Sequence, residues 1–424
     1  MQIRPIIATL HKHKLTATLL ALQVAFTCAI VCNAVFLIVQ RVDQITVPSG
    51  LDEASLSIVT IDDLQVKAGS EALSLHKADV AALRRLPGVE SAAIINNVPF
   101  SRSSHSSGGC TSLDAIEAVK KANSIDVPGC ASADVYTGGP GTLRTLGLKL
   151  VAGRDFRADD YLAGKTDGPV DFPAIIVTRA FAERLFPAHP GHVVGRVVYF
   201  GGSGIMLGHG SPIVGVVAHL HRANFGNTGS NDQSAVLPVE PVAGRVMFAL
   251  RSKPSDRAGV MKEASAALVK RVPNRQVSAD DAQTYAQIRS DYFRRDATMV
   301  NLLLAAALGL LFVTALGITG LASFWVQQRT RSIGIRRAVG ATRGDILRYF
   351  QTENFLIVTV GVGIGVLLAI GLNLLLMKHY ELPRLPLWYL LVGAIVLWLL
   401  GQLAVLAPAL RASNVPPVVA TRSV

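Results

Sequence analysis

Side chains that could do chemistry are few in this chain, and their spacing does not suit catalysis. A phosphate-binding loop needs G-x-x-x-x-G-K-[ST], so that backbone amides cradle the phosphates. The nearest string is Gly164-Lys165-Thr166, with Asp159 where the first glycine must stand. No H-E-x-x-H occurs, and Gly201-Gly202-Ser203-Gly204 misses G-x-S-x-G because the next residue is Ile205. His219 and His221 are two apart and could share one side of a strand. Two ligands do not make a metal site, so both are expected to be solvated or hydrogen-bonded. Asp159-Asp160 and Asp280-Asp281 are adjacent pairs that diverge on any regular element, and read as surface charge or helix caps. No catalytic residue, metal site or cofactor is expected.

The most informative stretch is basic rather than catalytic. From Arg329 to Glu353 the chain carries six arginines: Arg329, Arg331, Arg336, Arg337, Arg343 and Arg348. Asp345 is its only acid before Glu353. The 32 residues from Ala297 to Gln328 hold no charge, and neither do the 24 from Asn354 to Met377. A short basic loop between long apolar runs is what a cytoplasmic connection between membrane helices looks like. Within it, Ala341–Phe350 reads as a short helix opening near Thr342. Ile346, Leu347 and Phe350 form its apolar stripe, with Arg343 and Arg348 beside it. Such a helix suits docking into a groove on a soluble partner. It would equally suit resting on anionic membrane lipid.

The elements that position this loop follow from charge and hydropathy. The chain is 50% hydrophobic and 17% charged, against about 25% for a soluble domain. A net charge of +12 would suit nucleic acid. However, much of the excess lies beside apolar runs, where basic residues set orientation and meet lipid, so no nucleic-acid role is expected. Residues 1–14 have three basic residues and no acid. Residues 15–40 are uncharged and span about 39 Å as a helix, an uncleaved first membrane span. Further spans are expected at 297–326, 354–377 and 385–410, with a connector at 378–384 and a basic tail at 411–424. Both termini and the 327–353 loop then lie inside, and the connector and the 41–296 block lie outside. Gln23, Asn33, Asn301, Asn373 and Gln402 are polar residues within the spans, but no ionisable group sits mid-span. That argues against an ion-driven carrier and for amides bonding between helices. Gly361-x-x-x-Gly365 could allow close helix contact.

The 41–296 block is long enough for one or two cored domains. Strands are expected at 57–61, 89–95, 174–178, 196–200, 212–217 and 245–250. Helices are expected at 77–86, 141–146, 179–186 and 255–272. The mixture predicts an α+β or split βαβ arrangement. Residues 101–133, rich in Ser, Gly and Asn, read mainly as loop. Cys110 and Cys130 lie there, and outside the cytoplasm a disulfide between them would close a loop of about 20 residues, contributing ~3 kcal/mol. Cys28 and Cys32, inside the first span, read as small lipid- or helix-facing residues. Residues 279–296 have no Gly or Pro, and Tyr285, Ile288 and Tyr292 share a face. They predict a stalk helix continuous with the second span.

The stretch RTRSIGIRRAVGATRGDILRYFQTE resembles the core of the FtsX/MacB permeases, the membrane subunits of type VII ABC transporters. Arg329, Arg331, Ile333, Gly334, Ile335, Arg337, Ala338, Gly340, Ala341, Asp345, Ile346, Phe350 and Glu353 match that pattern. TLGLKLVAGRDF at 145–156, AIIVTRAFAERLFP at 174–187, VVGRVV at 193–198 and PIVGVVAHL at 212–220 are similar to the MacB-type periplasmic core. Ser332 departs from the pattern, which usually has Glu there.

The resemblance implies a membrane α-helical fold of four transmembrane helices, with a large α+β extracytoplasmic domain between helices one and two. It implies an inner-membrane protein working as a dimer with a second copy or a paralogue. ATP would be bound and hydrolysed by a separate cytoplasmic ABC ATPase subunit, whose motion passes through the stalks to the periplasmic domains. The ATPase-coupling residues implied are Gly340, Ala341, Thr342, Arg343, Asp345, Ile346, Leu347, Phe350 and Glu353. A MacB-like exporter would also engage a periplasmic adaptor protein and an outer-membrane channel. The large outside block favours this over an FtsX-like permease that activates a cell-wall hydrolase. A Lol-like permease that extracts lipoproteins is the remaining alternative.

Overall fold

The computed structural model describes residues 14–63, 69–164, 172–189, 191–201, 210–225, 231–242, 245–272, 275–277, 281–380 and 384–414. Lys165-Thr166, Gly202 to Ile205, Asp280 and parts of the two tails and of the 378–384 connector lie outside them. The chain forms two units, Val47–Arg294 and Met1–Thr46 with Arg295–Val424.

The strands of Val47–Arg294 are, in order, β1 (Leu56–Asp63), β2 (Val89–Ile95), β3 (Ser106–Cys110), β4 (Cys130–Thr137), β5 (Leu150–Gly153), β6 (Leu162–Ala163) and β7 (Ile175–Thr178). There follow β8 (Val197–Gly201), β9 (Ser211–Val217), β10 (Ser234–Leu237), β11 (Val239–Glu240), β12 (Arg245–Ser252), β13 (Arg275–Gln276) and β14 (Ala282–Thr284). One sheet runs β13-β1-β12-β2, with β14 also on β1, and every pairing is antiparallel. The helices Ser70–Leu83 and Arg257–Arg271 bury Val80, Leu83, Ala264 and Leu268 against its Val59, Ile61 and Phe248. The other sheet runs β5-β9-β7-β10-β4-β3-β8, and β8 also pairs β9, which closes a ring of strands. Its parallel pairs are β7 with β9 and β10 with β4. Runs such as Ile175-Ile176-Val177 suit this position, because β-branched chains pack well on a pleated surface buried on both faces. A core around Phe181 packs on these strands, with Val177, Ile213, Val216, Ala235 and Leu237.

Two expectations fail in this unit. Residues 101–133 are not mainly loop: they hold β3, the helix Leu113–Ala122 and the start of β4. The glycines there serve close packing. A Cβ on Gly109 would come within 2.8 Å of the Phe181 ring. Ser112 caps the helix, accepting from the Ala115 amide at 3.2 Å. Nor is 279–296 one stalk helix. Ala282–Thr284 pairs with β1, and Tyr285–Tyr292 is a separate helix opened by a Thr284/Gln287 capping box. Phe293 ends it before the next helix begins at Arg294. The cause is aromatic anchoring. Tyr285 is fully buried and donates to the Pro99 carbonyl at 3.1 Å, while Tyr292 and Phe293 pack with Phe100 and Phe225.

In the second unit, α1 (Lys14–Thr46), α2 (Arg294–Gln328), α3 (Thr330–Ala338), α4 (Arg343–Tyr380) and α5 (Leu387–Ser413) follow in order. All but α3 are long and apolar enough to cross a membrane. Their contacts use small residues and amides, as expected where lipid supplies no hydrophobic drive between helices. Gly361 and Gly365 take the α1 backbone at close range: a Cβ on either would lie 2.8 Å from the carbonyl oxygen of Ala21 or Ala25. Cys28 and Cys32 are buried and face helices, opposite Gly365 and Gly393. Asn33 donates to the Ala369 carbonyl at 3.1 Å, Asn354 to that of Gly401 at 2.9 Å, and Asn373 accepts from the Leu385 amide.

Candidate coupling site

The basic loop is an elbow of two helices. The α3 helix ends in a double closure: the Gly340 amide donates to the Arg337 carbonyl at 3.2 Å and the Ala341 amide to that of Arg336 at 3.0 Å. This is the Schellman pattern, which places one residue in the left-handed region. Gly340 is that residue, with φ +109. The next helix opens at once. The Thr342 hydroxyl accepts from the Asp345 amide at 3.2 Å, and the Asp345 carboxylate accepts from the Thr342 amide at 3.0 Å and hydroxyl at 2.6 Å. These bonds favour the ionised carboxylate and hold Asp345 below the usual carboxylate range.

The helix that opens there is not short. It runs unbroken from Arg343 to Tyr380, so the expected separate helix at 341–350 is the first part of a membrane-length one. Nothing between 350 and 354 breaks the helix, because Gln351, Thr352 and Glu353 all tolerate it. Its start extends roughly 16 Å beyond the uncharged run that begins at Asn354. The expected apolar stripe also faces the other way. Ile346 and Phe350 are 4% and 3% exposed, packed with Val326, Ile333, Ala409 and Ala412. Leu347 lies half-buried beside them. Glu353 is internal too: it accepts from Arg329 at 2.9 Å and 3.1 Å, with side chains 1% and 13% exposed. These residues lock the elbow to the membrane helices and leave no stripe for a partner.

What the elbow exposes is its bend. Val339 is 84% exposed and Ile335 52%. Gly340, Thr342, Arg343, Gly344 and Asp345 are exposed as well, and Ala341 partly so. Val339 was not singled out in the sequence, and Ile335 only as a match to the family pattern, because hydropathy does not show which face of α3 the chain itself covers. The Gly340-Ala341 pair before a T-x-x-D cap is the signal that could have located the bend.

Cys110 and Cys130 stand opposite each other on β3 and β4, Cα atoms 4.2 Å apart, and are joined as a disulfide. His219 contacts the Pro48 carbonyl oxygen at 2.6 Å and Asp232 at 3.2 Å, whereas His221 is buried against Phe100 and Phe225. They do not converge, and no metal-holding cluster occurs among the described residues. Asp160 pairs with Arg154 at 2.6 Å and caps a short turn, and Asp281 pairs with Arg245 at 3.0 Å. The Arg154 guanidinium holds the Asp160 carboxyl below its ordinary range.

A family model for the MacB-like periplasmic core domain matches residues 15–291, and one for the FtsX-like permease C-terminal matches 304–417. The macrolide export ATP-binding/permease protein MacB of Chromobacterium violaceum is 29% identical over 251 residues, 57% of this chain and 35% of that protein. The chain thus spans about a third of that relative's length. The uncharacterized ABC transporter permease YknZ of Bacillus subtilis is 25% identical over 296 residues, 66% of this chain and 68% of that one. Among solved structures, the periplasmic region of MacB from Actinobacillus actinomycetemcomitans aligns at TM-score 0.32 and 12% identity, over 58% of this chain and 97% of that one. With four membrane-length helices flanking a MacB-like core in the sequence, the chain belongs to the MacB/FtsX family of ABC transporter permeases.

Proposed function

We propose that this chain is the permease subunit of a MacB- or YknZ-like transporter, driven by a separate cytoplasmic ABC ATPase that docks on the elbow. The observation that carries this reading is the elbow itself. It is a stiff bend capped on both sides, braced internally through Arg329–Glu353, and presenting Val339, Ile335 and Arg343 outward. A lever that transmits force needs a rigid tip and a tip side chain that a partner can desolvate. The basic elbow then lies in the cytoplasm by the positive-inside rule, both termini lie there too, and Val47–Arg294 lies in the periplasm. ATP binding and hydrolysis on the partner move the elbow, and the membrane helices carry that motion to the periplasmic unit of each copy in a dimer. Substrates are handled on the periplasmic side, together with an adaptor protein and an outer-membrane channel. The spans hold no mid-membrane ionisable group for an ion-coupled alternative.

The test is a distance measurement. Spin labels on the periplasmic units of the two copies should report an ATP-dependent change in the reconstituted complex. Val339→Asp should abolish that change. A distance that ignores ATP, or a change that survives Val339→Asp, overturns the reading.

A further inference from the structure

Beside the elbow lies a cavity of about 220 Å³ between α3 and the start of α4. Ile333, Ile346 and Phe350 give it apolar lining, and Arg329, Ser332 and Arg336 give it polar lining. Arg336 lies over the Tyr349 ring at 5.0 Å and has no ion-pair partner among the described residues. Arg329 spends one nitrogen on Glu353, while its Nη2 is buried with no hydrogen-bond partner. One carboxylate thus serves two guanidinium groups, and the cavity carries an uncompensated positive charge. A buried guanidinium nitrogen without an acceptor costs free energy that an anion would recover.

Position selects the anion. Arg329 directly follows the uncharged run ending at Gln328, and Phe350 lies roughly 6 Å along α4 from Asn354. The headgroup layer on each side of a bilayer is about 5–7 Å thick. The cavity therefore opens at headgroup depth, whereas the exposed bend at Val339 lies deeper in the aqueous phase. A group that brings a phosphate oxygen to Arg329 and Arg336 and an apolar body to Ile333 and Phe350 is a phospholipid. A net positive cavity disfavours a choline headgroup and favours an anionic one.

We propose that this cavity binds the phosphate of an anionic phospholipid, with Arg329 and Arg336 as its donors, and so braces the elbow from the membrane side. The site rests on the orientation proposed above. The lipid-retention readout does not depend on the ATPase, so the site can fail while the ATPase reading stands.

The probe is phosphatidylglycerol, added to the purified full-length permease in detergent and counted by native mass spectrometry. Phosphatidylcholine and inorganic phosphate serve as comparisons. The expected result is one retained phosphatidylglycerol, held about tenfold more tightly than phosphatidylcholine, one charge-assisted bond's worth of discrimination. Retention should fall by a similar factor in Arg336→Gln. It should also fall in Ser332→Glu, which places a carboxylate at the cavity wall. Unchanged thermal midpoints would exclude misfolding. Displacement by millimolar inorganic phosphate would assign the site to a free anion and overturn the lipid assignment. Equal retention of both lipids, or of phosphatidylglycerol by wild type and both variants, would overturn the proposal. So would loss of ATPase capture in Arg336→Gln with lipid retention intact, since the cavity would then belong to the protein partner.

Discussion

Removing Arg275 should strongly destabilise the periplasmic-type unit. Its side chain is 0% exposed and lies between two carboxylates that are equally hidden, Asp63 at 0% and Asp79 at 1%. It donates to Asp63 at 2.6 Å and 2.8 Å, meets Asp79 at 2.9 Å and donates to the Leu268 carbonyl at 3.2 Å. These contacts tie together β1, β13 and the helices Ser70–Leu83 and Arg257–Arg271. Arg275→Met keeps much of the volume but leaves Asp63 buried without its cation. Breaking a buried pair from one side costs about 3–5 kcal/mol, because a buried charge is left uncompensated. Arg271 offers a control. It also pairs with Asp79, at 2.8 Å, but its side chain is 38% exposed. Water can replace it, so Arg271→Met should cost at most about 1 kcal/mol. Replacing all three buried members together, as Asp63→Leu, Asp79→Leu and Arg275→Met, should recover most of the loss, since well-packed apolar groups often match a buried ion pair. The assay is urea unfolding of the full chain in detergent, followed by tyrosine and tryptophan fluorescence and by circular dichroism. If Arg275→Met costs under about 1 kcal/mol, or no more than Arg271→Met, the assignment of this cluster as the unit's electrostatic pin is wrong.

The elbow should separate stability from partner binding. Ile346→Ala should destabilise the membrane unit by about 2–5 kcal/mol as a buried large-to-small change. Val339→Asp should shift stability by less than about 0.5 kcal/mol while weakening ATPase capture in a pull-down. A Val339→Asp protein that still captures the ATPase at wild-type yield would refute the bend as the docking point. Acidification should weaken the periplasmic-type unit through its histidines. Burial pushes both His76 and His221 below the ordinary 6.5, so the folded state binds fewer protons than the unfolded one. Stability is then full above pH 6.5 and falls as pH drops below it. His76→Gln with His221→Gln should flatten the profile between pH 7 and 5, and an unaltered slope would count against this origin. The Cys110–Cys130 disulfide closes a loop of about 20 residues, and its removal as Cys110→Ser with Cys130→Ser should cost ~3 kcal/mol. Non-reducing peptide mapping of protein made in the periplasm should recover the linked pair, and recovery of two free thiols there would contradict it.

Much of this architecture was legible because its signals are local and redundant. Uncharged runs flanking Arg329–Glu353 mark membrane helices by length alone. Strands such as Ile175–Thr178 and Val89–Ile95 announce themselves through β-branched or apolar runs bounded by helix caps and turns. The misreadings share one physical cause: a residue's role depends on what lies opposite it. Gly109 looks like loop glycine until Phe181 is seen above it. The Tyr285 and Tyr292 face looks like a stalk, yet it is the surface that seats that helix against Phe100 and Phe225. Ile346 and Phe350 read as a docking stripe because amphipathicity gives an apolar face without saying whether a partner or the same chain covers it. Here Ala409 and Ala412, some sixty residues downstream, cover it. Of the residues expected at the coupling site, Gly340, Thr342, Arg343 and Asp345 are exposed at the bend, whereas Ile346, Phe350 and Glu353 are internal, and the exposed Val339 and Ile335 were not among them.

On the function proposed above, this permease works with a separate ABC ATPase. The most direct measurement is a mild-detergent pull-down of the tagged full chain from native membranes, with mass spectrometry and an ATPase assay on the eluate. The expected result is recovery of a soluble ABC ATPase with measurable hydrolysis, together with a second copy or a paralogous permease. Recovery of the permease alone, without hydrolysis, would contradict it.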